Sequence, residues 1–217
     1  MTVKEAMNTR RTTRAFLPTP VEKEKLDAIL KDAARTPSWT NSQPWEVFIA
    51  TGKALERIKA AYKENHDKKV PPTNETPAPT PEQWSESAVK RREQVLADRI
   101  SQCGEDALKL FGSHNQAMFY APAVIYIYMD KVLTDWSLYD VGSYAQSIML
   151  LATEQGLSTM PAASLTLFPE VQRRELKIPD HLRLTIGIAI GYADKDNIIN
   201  SFISSRKPLS ETVHYVD

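Results

Sequence analysis

Arg10, Thr12 and Arg14 stand at alternate positions in the basic run Arg10-Arg11-Thr12-Thr13-Arg14. In extended backbone, alternate side chains share one face, so these three project together. Guanidiniums keep their charge, and their forked donors match the oxygens of a phosphate. Each charge-assisted hydrogen bond of this kind contributes roughly 1.5–3 kcal/mol. Taken alone, the cluster reads first as a solvated basic turn, because neighbouring basic residues are common on surfaces.

Three further segments carry polar or permissive residues in suggestive places. Pro37-Ser38-Trp39-Thr40-Asn41-Ser42-Gln43-Pro44-Trp45 is a polar loop bounded by prolines. Held stiff at both ends, it offers hydroxyl and amide groups to a ligand; a plain structural connector reads equally well. Pro161-Ala162-Ala163-Ser164 follows Gly156 and is built of small residues, which let a backbone approach a flat ligand closely. By itself it reads as a tight loop. Gly191-Tyr192-Ala193-Asp194, followed by Ser204-Ser205-Arg206-Lys207-Pro208-Leu209, ends a strand at a glycine and supplies a late arginine. On its own that is a surface tail.

The elements that position these segments follow from periodicity. Residues 3–9 read as a short helix, and 21–34 as a second one with Leu26, Ile29, Leu30 and Ala33 at helical spacing. Thr19 and Pro20 suit a helix start there. Residues 45–50 read as a strand, 53–63 as an amphipathic helix, 123–129 as an apolar strand and 184–192 as another. The helix 138–154 is apolar over a face broad enough to predict burial on more than one side, with Gly156 placed to end it. Five prolines in the twelve residues Val70–Pro81 exclude helix and central strand. That stretch reads as an extended linker or the base of a mobile lid, leading into a charged helical pattern over 82–111. Three strands are thin for a self-sufficient sheet. The tail 212–216 offers one more, and a tail strand from a second subunit would mend the deficit.

Bulk properties bound the class. The 217 residues suit one sizeable α/β domain, and Lys plus Arg equals Asp plus Glu at 27 each. No net field draws the chain to nucleic acid or a membrane. The basic run also lacks the interleaved aromatics of a nucleic-acid face. One cysteine, Cys103, excludes an intrachain disulfide and a Cys-based metal site, and suits a reducing cytoplasm, the expected location. No signal-peptide core and no run of about 18 apolar residues is visible. The four histidines are scattered, and none is assigned to catalysis or to a metal.

In this order and spacing the four segments resemble the FMN-dependent nitroreductase family. Arg10-Arg11-Thr12-Thr13-Arg14-Ala15-Phe16 is similar to the family's Arg-x-Ser/Thr-x-Arg/Lys-x-Phe opening. Pro37-Ser38-x-x-Asn41-x-Gln43-Pro44-Trp45 is similar to its second signature and is the most specific match. Gly191-Tyr192-Ala193 through Arg206-Lys207-Pro208-Leu209 is similar to its third. The likeness spans 3–64 and about 115–210, leaving an insert at 65–114 as the candidate lid that selects substrate. Ala163-Ser164 departs from the Glu-Gly pair of many members, and Ser204 from a Lys found in some.

The resemblance implies a single FMN-binding domain over 1–217. It implies an α+β, three-layer α-β-α fold whose central sheet is mixed but mainly antiparallel and completed by the partner's C-terminal tail. It implies a homodimer with an FMN at each interface, NADH or NADPH as reductant and a small nitroaromatic or quinone substrate reduced in ping-pong fashion. By the same likeness Arg10 and Arg206 hold the phosphate with Thr12 and Arg11 beside them, and Arg14 lies near the flavin pyrimidine. Pro37, Ser38, Trp39 and Asn41 reach the partner's FMN. Pro161, Ala162, Ala163 and Ser164 face the reactive nitrogen, with Asn115 and Gln146 as further contacts. No catalytic side chain is demanded, since solvent can protonate the product. The scaffold also accommodates reductive dehalogenation, enone reduction, flavin fragmentation or flavin binding without turnover.

Overall fold

The apolar segment 123–129 decides the layering, because alternate side chains along an extended chain leave on opposite faces. Val124, Tyr126 and Tyr128 point into one core; Ala123, Ile125, Ile127 and Met129 point into another. A strand buried on both faces needs helices on both sides.

The computed structural model describes residues 1–216 and supplies them. Its helices are α1 (Val3–Thr9), α2 (Lys23–Ala33), α3 (Gly52–Asp67), α4 (Glu86–Cys103), α5 (Ala107–Gln116), α6 (Asp135–Glu154) and α7 (Pro169–Leu176). Its strands are β1 (Glu46–Thr51), β2 (Ala123–Asp130), β3 (Ser158–Ala162) and β4 (Leu182–Gly191). The fold is α+β in three layers. α3 and α7 cover one face of the sheet through Leu55, Ile58, Tyr62 and Val171. α2 and α6 cover the other through Leu26, Ile29, Ala33, Val141, Tyr144, Ile148 and Ala152. A third, smaller cluster of Ala15, Ala107, Phe111, Ile199 and Phe202 pins the C-terminal tail against the start of the chain and α5.

The strand order is β1-β2-β4-β3, and every strand pairing is antiparallel. The parallel component is a single bridge between Thr12 and Thr159. The sheet therefore has four strands within one chain, where three were expected. The additional one, β3, runs through the segment read as a tight loop. Pro161 hides it from a propensity reading, yet an edge strand tolerates a residue without an N–H. Residues 212–216 form no strand in the single chain; a 3-10 turn at Leu209–Glu211 precedes them.

α6 ends as its sequence predicts. Gly156 takes φ +75°, its N–H donates to the Thr153 carbonyl, and the Leu157 N–H donates to the Ala152 carbonyl at 2.8 Å. That pair of bonds closes the helix C-terminus and turns the chain directly into β3. α2 instead starts later than Thr19-Pro20 suggests, at Lys23. The Glu22 side chain there accepts from the Tyr192 hydroxyl rather than capping the helix.

The proline-rich stretch is also not a free linker. The Thr73 N–H donates to the Leu167 carbonyl, the Thr76 hydroxyl to the Leu184 carbonyl, and the Glu75 carboxylate accepts from Arg173 and from the Leu184 N–H at 2.6 Å each. Proline removes backbone donors, so side chains and the few remaining N–H groups dock the segment.

One turn needs exact support because it leads out of β3: the 3-10 turn Ala163–Thr166. The buried Tyr62 hydroxyl donates to the Leu165 carbonyl at 2.9 Å, and Gln172 reaches the same carbonyl. Burial pushes the Tyr62 phenol up to about 12, which keeps it a donor. Beneath the turn lies Gly187, where an added methyl carbon would sit 2.6 Å from the Leu165 Cβ. Gly187→Ala is expected to displace the turn and lower stability by about 1–3 kcal/mol, as overpacked sites do. Urea unfolding measures this, and an unchanged midpoint refutes it.

Candidate functional site

The edge position of β3 creates the site. The Thr13 N–H donates to the Thr159 carbonyl at 3.0 Å, so residues 10–14 lie along the open side of β3 in extended form. The alternation expected from sequence follows: Thr13 is buried, while Arg10, Thr12 and Arg14 are half-buried on the other side. Asn200 then locks this segment to the tail. Its side-chain oxygen accepts from the Arg14 and Ala15 N–H groups at 2.7 and 3.2 Å. Its NH2 donates to the Ala15 and Asp194 carbonyls at 2.8 Å each. This clamp was not legible in the sequence, where a lone Asn in Ile-Ile-Asn-Ser carries no signal.

The consequence is that Arg10 and Arg206 meet. Both line a cavity of about 200 Å³ together with Arg11, Thr12, Arg14, Phe202 and Ser204. The Arg10 guanidinium is held below its ordinary range by burial first and by the Arg206 charge second. Arg206 is oriented by its own neighbours, donating to the Ser204 hydroxyl at 2.7 Å and to the Ser204 and Ser205 carbonyls. Arg11, also on the cavity wall, spends its donors on the carbonyls of Asn8 and Arg10. Among the described residues none of Arg10, Arg14 and Arg206 has a carboxylate partner. Like charges gathered without counter-charge favour an anion, which fits a phosphate.

Arg14 sits deeper. Its guanidinium lies 5.5 Å from the Phe111 ring and 5.4 Å from the Phe202 ring, and its donor reaches the Thr12 carbonyl. Arg99 of α4 packs on the same two rings at 4.6 and 5.5 Å. Burial, and then Arg99, push Arg14 down to about 10. The aromatic faces offset part of that penalty. Arg99 was not singled out from sequence, because α4 is charged throughout.

The other expected groups divide. Ser164 donates to the Asn115 side-chain oxygen, so α5 and the turn after β3 do meet. Pro161 and Ala162 lie on β3 and Ala163 opens the turn, next along the edge from Thr12. Gln146 lies on the outer side of α6, its amide 3.6 Å from the Met7 sulfur of α1. Loop 37–45 is not brought to this cavity. Pro37, Trp39 and Asn41 are exposed and Ser38 half-buried, beside the first half of α6. The Trp39 N–H donates to buried Asp140 at 3.1 Å, and Ser38 accepts from the Gln43 N–H at 2.9 Å. Trp45 does anchor the loop, stacked on Tyr144 at 4.4 Å. Thr40, Asn41 and Gln43 all have positive φ. Three non-glycine residues in that region store strain of the kind that gathers at binding sites. Around the loop Trp39, Trp136 and Tyr139 stay 60–74% exposed, with Trp39 edge-on to Trp136 at 5.7 Å. An apolar patch of that kind marks a docking face.

The family model described as the nitroreductase family matches residues 7–192. The chain is 32% identical to the chloronitrobenzene nitroreductase of Comamonas testosteroni, with 99% of this chain and 96% of that protein covered. It is 29% identical to the 4-nitrobenzoate reductase of Pseudomonas putida, covering 95% of this chain and 92% of that one. Among solved structures it is similar to the FMN-dependent nitroreductase NfnB from Mycobacterium smegmatis in complex with NADPH. That likeness has a TM-score of 0.90 and 27% identity, with 99% of this chain and 97% of that chain covered.

Because Asn200 satisfies four backbone groups, Asn200→Ala is expected to cost about 1–3 kcal/mol. It should also raise amide exchange at residues 14–15 and across the tail. Thermal unfolding and hydrogen-exchange mass spectrometry read both; protection that survives the substitution refutes the clamp.

Proposed function

This chain belongs to the nitroreductase family, and from that premise we propose that it is an FMN-dependent, NAD(P)H-driven reductase of nitroaromatic or quinone-type compounds, working as a homodimer. We take residues 1–217 as one flavin-binding domain. The observation that carries the reading is the convergence of Arg10 and Arg206 on one cavity without a carboxylate partner.

FMN held by Arg10, Arg206 and Thr12 would supply the two-electron redox chemistry between a nicotinamide reductant and an oxidised substrate. The chain's own residues do the rest. Arg10 and Arg206 grip the phosphate, with Thr12 as a further donor. Arg14, held cationic between two phenyl rings, places positive charge where a reduced ring system gathers negative charge. Ser164 and Asn115 fix the small-residue turn that lets backbone approach a flat ring. No side chain has to move a proton, since solvent reaches an open cleft. Reductant and substrate would take turns on the same face, which is ping-pong behaviour.

A cavity of about 200 Å³ is smaller than the roughly 300–1,000 Å³ of small-molecule sites. One chain therefore houses the phosphate end, and the ring needs walls from elsewhere. The strained loop 37–45 and the aromatic face of α6 are the surfaces we assign to the partner's site. That assignment gives Pro37, Ser38, Trp39 and Asn41 a role that their distance from the Arg10 cavity otherwise denies them.

Arg10→Ala and Arg206→Ala are each expected to weaken FMN binding by roughly 10–100-fold, the effect of one charge-assisted contact. Flavin fluorescence titration of the apoprotein measures it, and wild-type affinity in both variants would sink the reading. Tyr139→Glu, a charge placed on the apolar face, is expected to shift the protein to monomers in sedimentation and to strip its flavin. Monomers that keep full flavin occupancy would refute the shared site. Anaerobic titration of the yellow protein with NADH or NADPH, then with a nitroaromatic, tests turnover directly.

A further inference from the structure

A cavity larger than the one between Arg10 and Arg206 lies elsewhere on the chain. It is an open groove of about 780 Å³ along α4, with Trp84 at its start and Lys207 of the tail on its side. Arg91, Arg92, Arg99 and Lys207 all line it, and Glu93 is the acidic residue among its walls. Arg91 shares Glu211 at 3.4 Å. Among the described residues Arg92, Arg99 and Lys207 have no carboxylate partner, and the Arg99 Nε is buried without any hydrogen bond. The Arg92 guanidinium carbon lies 4.8 Å from the Trp84 ring centroid, a cation–aromatic pair beside which a purine can stack.

The groove is joined to the Arg10–Arg206 cavity by a shared wall. Arg99 reaches into the groove and Arg14 into the cavity, and both pack on Phe111 and Phe202. A ligand in the groove would thus lie beside the site of reduction. Its size falls within the range that takes a nucleotide-sized molecule. Its excess of unpaired cations suits a phosphomonoester, which carries nearly two charges, better than the singly charged bridging phosphates of a dinucleotide.

We propose that the α4 groove, through Arg92, Arg99 and Lys207, holds the 2′-phosphate and adenine of the nicotinamide dinucleotide reductant, so that this chain selects NADPH over NADH. The inference rests on the reductase reading above and adds the element that sets reductant choice. Arg92, exposed, and Lys207, half-buried, stand on the groove wall and meet the phosphate. Arg99 is the inner cation, and its buried Nε–H has no hydrogen-bond partner within the protein. Trp84 and the Arg92 plane stack on the base. Glu93 opposes the anion and weakens binding.

The test uses adenosine 2′,5′-bisphosphate against adenosine 5′-monophosphate, by calorimetry on the full-length protein after incubation with excess FMN. The bisphosphate is expected to bind at least about tenfold more tightly, in a salt-dependent manner. The double substitution Arg92→Gln, Lys207→Gln should abolish most of that preference. Glu93→Gln should strengthen it, and Lys90→Gln, outside the groove, should leave it unchanged. Equal affinities for the two probes, or a preference that survives the double substitution, overturns the proposal. FMN content is read by absorbance on the same samples. Protein that holds FMN but shows no preference refutes the groove alone. Protein that prefers the bisphosphate but never takes up FMN refutes the reductase reading and leaves the groove standing.

Discussion

Two like-charged guanidiniums from opposite ends of the chain do not approach one another without restraint. Here Arg10 and Arg206 share a cavity because neutral interactions hold their backbones in place. Asn200 ties the first segment to the turn at Asp194, and Phe202 packs with Phe111 and Ala15 behind it. The repulsion is thus stored in the folded state and relieved by an anion. The same logic extends inward, where Arg14 and Arg99 pack on two shared aromatic faces and burial depresses both. A reductase that binds an anionic cofactor needs such a site prepared in advance, because preorganised charge costs no rearrangement when the ligand arrives.

The sheet contributes by leaving one edge incomplete. β3 pairs with β4 on one side only, and its other side takes a single bridge from Thr12. A full strand there would cover the residues that face the ligand. The partial pairing positions Arg10, Thr12 and Arg14 at fixed spacing while the turn after β3 stays open. Gly187 under that turn and the Tyr62–Gln172 pair beside it fix its height. Structural precision at the turn is therefore set from beneath, by groups with no chemistry of their own.

Periodicity made the layers legible. Leu26, Ile29 and Ala33 face the core as their spacing predicts, and the wholly apolar Ala123–Met129 forms a strand as read, inside the sheet. What escaped were features without a local pattern. β3 was concealed by Pro161, since an edge strand does not need every N–H. The anchoring of residues 73–76 was concealed by proline content, which excludes regular structure but says nothing about side-chain docking. Asn200, Asp140 and Arg99 act across the chain, and their partners are set by the fold rather than by neighbours in sequence. The clustering of Arg10, Arg14 and Arg206 was legible only through a family likeness; composition alone favoured a solvated turn. Loop 37–45, which the likeness assigns to the partner's flavin, lies apart from the Arg10 cavity in a single chain, beside the α6 face.

The insert and the tail are bound directly to each other. Gln102 exchanges two hydrogen bonds with the backbone of Ile203, Asp98 accepts from Ser205, Lys207 donates to Ser87, and Arg91 meets Glu211. The family match ends at residue 192, before any of these tail residues. Helix α4 and the strip 198–211 thus form a paired cassette, and a change in one half has to be answered in the other. Swapping that helix between relatives without its matching strip would orphan a row of polar groups and pull Arg206 out of place. Diversification of this scaffold is therefore channelled into joint replacement of both pieces.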